Sequence, residues 1–87
     1  MTSYAYDAEG TGHGQFVTNI VRPNIQPLSK VFASISEFNA KSRAPFIGDA
    51  RMTIHNISPQ AGSVKVWIDI EWGSDLIYIV NLLVVNL

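Results

Sequence analysis

The stretch "VKVWIDIEWGSDLIYIVNLLVV", Val64 to Val85, decides the fold. In its first nine residues Val64, Val66, Ile68, Ile70 and Trp72 share one phase, and Lys65, Trp67, Asp69 and Glu71 share the other. Successive side chains of a strand point to opposite faces, so this is a strand with one face in the core and one toward water. The polar link "GSD" then leads into "LIYIVNLLVVNL", Leu76 to Leu87, which is apolar on both phases and predicts a strand covered on each side. A chain of 87 residues builds one core and hides only about two-thirds of its unfolded surface. A second chain is therefore expected over the outer side of the last strand.

Upstream, "RMTIHNI" sets Met52 and Ile54 against Arg51, Thr53, His55 and Ile57, and "SPQAGS" supplies a compact turn, so this strand and the next form a hairpin. The segment "PLSKVFASISEF" reads two ways. Leu28, Val31, Phe32, Ile35 and Phe38 make a helical stripe with Ser29 as its cap, whereas Val31, Ala33 and Ile35 alternate as in a strand. Local pattern leaves both open. "QFVTNIV", Gln15 to Val21, is a weak strand stopped by the prolines of "RPNIQP". "DAEGTGHG", Asp7 to Gly14, holds three of the six glycines and no large apolar residue, so residues 1–15 are expected to be loop-rich. The whole, residues 1–87, is a single all-β domain, a small antiparallel β-sandwich.

Composition removes several functions. The net charge is -1 and the six Lys and Arg are scattered singly, so no basic stripe exists to neutralise a phosphate backbone, and nucleic acid is not an expected partner. The longest pure aliphatic run, "LLVV", is far short of the roughly 20 residues that span a bilayer. With no Cys there is neither a disulfide scaffold nor a thiolate metal site, and His13 and His55 stand apart without a third His. Oxygen ligands in "DAEGTGHG" for a calcium ion are the one metal alternative; no metal or cofactor is expected. The start "MTSYAYDAEG" lacks the parts of a secretory signal, which suits a cytosolic product or a piece trimmed from a longer one and leaves the compartment open. "NIS" at Asn56 fits a glycosylation acceptor but abuts Pro59. Asp69 and Glu71 share a strand face, where neighbouring carboxylates repel rather than flank a scissile bond, and no nucleophile elbow is present. The chain does not read as an enzyme.

Taken in order, "PLSKVFASISEFNA", "ARMTIHNISP" and "IDIEWGSDLIYIVNLLVV" resemble the H-type lectin domain, found in snail agglutinins and at the carboxy terminus of slime-mould discoidins. The likeness covers Pro27 to Val85. It implies a β-sandwich of about six strands, with a strand rather than a helix over Leu28 to Phe38. It also implies a trimer that binds galactose or N-acetylgalactosamine at the seams between subunits. By the same resemblance Arg51 bonds a ring hydroxyl, and Trp72 and Tyr78 line the pocket and the acetamido group. Gly73 stands where the snail proteins have a His, so Ser74 or the main chain has to take that contact. The acidic partner comes from the amino-terminal segment, where Asp7 is the candidate, ahead of Glu9 and His13. These residue types suit a sugar, whose C–H face packs on a ring and whose hydroxyl rim takes charge-assisted hydrogen bonds. Trp67, out of phase with the core, is expected between subunits. The expected function is a lectin for glycans ending in galactose or N-acetylgalactosamine, without catalysis, its sites strengthened by repetition around the trimer. The alternative is a trimeric assembly or fibre-head module that has lost the sugar.

Overall fold

A computed structural model describes all residues 1–87. The chain forms seven strands: β1 (Thr2–Gly12), β2 (Gly14–Val21), β3 (Lys30–Asn39), β4 (Ala44–Phe46), β5 (Arg51–Gln60), β6 (Ser63–Glu71) and β7 (Leu76–Asn86). All pairings are antiparallel, in a four-stranded sheet of order β1-β7-β3-β4 and a three-stranded sheet of order β2-β6-β5. There is no helix. The core is where the two central strands face each other. Val64, Val66, Ile68 and Ile70 of β6 are buried, together with Tyr78, Val80, Leu82 and Val84 of β7.

The helical stripe over Leu28 to Phe38 loses to the strand. Val31, Ala33 and Ile35 lie opposite Val84, Leu82 and Val80, so β7 supplies long-range partners that a helix would forgo. Ser29 still caps, but it caps a turn: its hydroxyl accepts from the Gln26 amide at 2.9 Å and donates to the Asn86 side chain. Asn86 donates in turn to the Asn24 carbonyl at 2.8 Å, and the Asn24 amide donates to the Tyr6 hydroxyl at 3.0 Å. This network fastens the Pro-rich loop across one end of the sandwich, where Ile25 plugs the core.

The amino-terminal segment corrects the expectation of a loop. Residues 2–12 pair with β7 along their whole length, and β1 brings the strand count to seven together with the three-residue β4. Glycine usually weakens a strand, but here the missing side chains make room for rings. A Cβ on Gly10 would overlap the Tyr78 ring, with Cζ only 2.6 Å away, and one on Gly12 would stand 3.0 Å from Phe16. Gly14 then takes a φ of 70° and carries the chain round the corner at His13 into the other sheet, which curls the fold into a half-barrel.

Two further expectations are corrected in the β5–β6 hairpin. A bulge at His55 shifts the register, so Ile57 turns inward instead of sharing the outer phase with His55. The turn is shorter than "SPQAGS": Ser58 to Gln60 stay paired, and only Ala61 and Gly62 bend, Gly62 with a φ of 79°.

β7 is apolar on both sides, and its own chain covers part of the outer one. Asn39 winds the β3–β4 turn by accepting amide hydrogen bonds from Lys41 and Ser42, which leaves Arg43 with a φ of 57°. From there the guanidinium passes over Phe38, 5.0 Å from its ring centroid, and donates to both oxygens of Glu9 on β1 at 2.9 and 3.0 Å. Those hydrogen bonds, then the carboxylate charge, raise the Arg43 pKa above its ordinary value. Because β7 lies between β1 and β3, the bridge crosses β7 beside Ile79, the Cα partner of Glu9, which is only 7% exposed. Ile77 and Leu83 on the same face remain part-exposed, and Phe32, the partner of Leu83, is 63% exposed.

Candidate functional site

Trp72 continues the core phase of β6 one step beyond the core. Its amide donates to the Ile70 carbonyl at 2.9 Å, so the chain folds back at the strand end and leaves the indole at the mouth of the sandwich, 45% exposed. Gly73 and Ser74 follow in the open, and no atom lies near where a Cβ on Gly73 would stand. The link is tied down by Asp75, whose carboxylate accepts from His13 Nδ1 at 2.6 Å. The β1–β2 corner and the β6–β7 link are thus joined beside Trp72.

Under the indole lies a cleft of about 170 Å³ lined by Glu37, Phe46, Gly48, Asp49, Trp72 and Leu76 among others. Glu37 reaches it because residue 48 is glycine; a Cβ there would strike the carboxylate. Neither Glu37 nor Asp49 enters an ion pair. The arrangement is an exposed ring with two free carboxylates beside it, which suits a ligand having an apolar face and hydroxyl donors at its edge. Glu37, Phe46 and Asp49 were not legible as site residues. They belong to β3, β4 and the turn after it, and only the β3–β4 excursion brings them to Trp72.

The sequence-predicted residues divide into four groups. Trp72, Gly73 and Ser74 sit together at the cleft end. Arg51 opens β5 at the same end, but on the outward phase, as Cα partner of Glu71 and exposed. Tyr78 does not line the cleft. It is 5% exposed in the core, its ring 5.8 Å from Phe16 and packed over Gly10. It shares its face with Leu76, two residues away, and is the Cα partner of Glu37, so it supports the cleft from beneath. Asp7 is in mid-strand on β1 opposite Asn81, five residues from the Gly12–Leu76 pair that ends next to the link. That is roughly 17 Å along a strand, too far to meet Trp72 within one chain. Of the alternatives to Asp7, Glu9 is taken up by Arg43, and His13 is at the cleft end.

No three His, Cys, Asp or Glu side chains converge to hold a metal ion. Asp7 and Glu9 in particular are strung along β1 rather than gathered by a loop. Compared with known proteins, the chain matches no family model, no curated protein and no solved structure.

Proposed function

We propose that the domain is a non-catalytic carbohydrate-binding module of the H-type lectin kind, recognising galactose or N-acetylgalactosamine at its Trp72 end. The observation that carries this reading is the exposed Trp72 indole over a cleft with two unpaired carboxylates, Glu37 and Asp49. A pyranose would lay its C–H face on the ring and donate its hydroxyls to the carboxylates. Ser74 and the Gly73 main chain offer the contacts for which the snail lectins use a His. In this reading the six long strands are those of the lectin sandwich, and β4 is an addition in the β3–β5 connection.

The cleft is small and open, so one site is weak. A neighbouring subunit laid against it would bring an Asp7 that the same chain cannot supply, and would let Arg51 act at the shared rim. Three such sites held together raise avidity by roughly 10² to 10⁴ on suitably spaced glycans. Calorimetric titration with both sugars is expected to give saturable binding, tighter for multivalent galactosides than for the free sugars. Heat changes no larger than those given by a neutral polyol, with either sugar, would end the proposal.

A second reading is an assembly module. It draws on the apolar residues left exposed on the outer face of the four-stranded sheet, the Phe32–Leu83 pair and, past the Arg43–Glu9 bridge, Ile77, which favour a subunit contact whether or not a sugar binds.

A further inference from the structure

The outer face of the β2-β6-β5 sheet presents a different aromatic. Trp67 is 42% exposed at its centre, with Val17 and Asn56 as Cα partners on either side. The row on one side of it is Gln15, Asp69 and Thr53, and the row on the other is Asn19, Lys65 and Ser58. Amides and hydroxyls are common on any solvent face, and what distinguishes this one is their grouping around an exposed ring. Here five of the eight neighbours are amides or hydroxyls, and the two charges, Asp69 and Lys65, are of opposite sign.

The bulge adds to this. It inserts His55 where Asn56 already opposes Trp67, so two polar side chains of β5 meet one indole. The His55 ring packs 4.7 Å from the indole at 44°, with Nε2 3.8 Å from Asp69, and walls one side. Next to the indole is a hollow of about 220 Å³, bordered by Val17, Asn56, Ser58 and Lys65. Asn56 Oδ1 accepts from the Ile57 amide at 2.9 Å, which leaves its NH2 free to donate outward.

We propose that this face is a second carbohydrate platform, taking a neutral pyranose of a glycan chain. The sugar's C–H face lies on Trp67, and its hydroxyls meet Asn56, Ser58 and Lys65. The balance of charge disfavours an acidic or a basic partner; apart from Trp67 and the exposed Val17 and Val21, the face carries side chains that hydrogen-bond. The inference is independent of the Trp72 reading, because Trp67 is on the opposite phase of β6 and uses none of the same residues.

The chain has two tryptophans, so their indole N–H resonances can be assigned with Trp67→Phe and Trp72→Phe and followed separately. The titrants are neutral galacto-, gluco- and manno-oligosaccharides, with a dilution series of the protein alone. The Trp67 resonance is expected to shift saturably with at least one of them and to do so still in Trp72→Ala. Trp67→Ala should weaken that binding about tenfold, and Asn56→Ala, at an exposed position, should weaken it in the same direction without unfolding the domain. A Trp67 resonance unmoved by every neutral sugar overturns the proposal. So does one that moves on dilution alone, which would mean that a second copy covers this face.

Discussion

Changing Tyr78 to Ala is expected to destabilise the domain by about 3–5 kcal/mol, the range for removing a large buried aromatic side chain. The ring fills the space between Gly10 and Phe16 in the middle of the core, and a domain this small has little stability to spare. Denaturant melts of wild type and variant measure the loss; a change below about 1 kcal/mol would place the ring at the rim instead. The same packing explains the strand status of β1. Gly10→Ala should cost about 1–3 kcal/mol through overpacking, and much of that cost should vanish when residue 78 is shortened to Leu in the same chain, because the two positions share one volume. Loss of sugar binding in Tyr78→Ala would therefore say nothing about contact with the sugar.

Trp72→Ala is the substitution that separates binding from folding. The indole is half out of the core at the end of β6, so its removal should cost about 1 kcal/mol of stability, while galactoside binding falls at least about tenfold. Arg51→Ala makes a useful companion, since the exposed guanidinium forms no ion pair in the chain and its loss should leave the melt unchanged. Binding isotherms and melts on the two variants decide the matter. Equal affinity in wild type and Trp72→Ala would move the site away from this cleft.

β6 was legible from the sequence because a period of two maps directly onto two faces, and each of its inward residues is buried. β1 was not, because the signal that suggests a loop, glycine at alternate positions, has a second cause: Tyr78, far along the chain, and Phe16, across the β1–β2 corner, need the space. The helix-like stripe at Leu28 to Phe38 shows the same limit from the other side, since the partners that make it a strand are in β7. A single inserted residue, His55, reversed the inward and outward sense of Ile57, and no local composition marks such a bulge. The apolar outer side of β7 suggests a covering second chain, yet Arg43 and Glu9, 34 residues apart, cover Ile79 from within. At the candidate site, Trp72 and its link stood out as an aromatic beside a polar turn. Glu37 and Asp49 had no sequence signal, because their meeting with Trp72 is a matter of topology.

Native mass spectrometry of the protein with and without N-acetylgalactosamine shows whether neighbouring subunits complete a sugar site at the Trp72 end. A trimer is expected, with three sugars held at the Trp72 clefts and those three lost in Trp72→Ala. A monomer at every concentration that takes up no sugar would contradict that expectation.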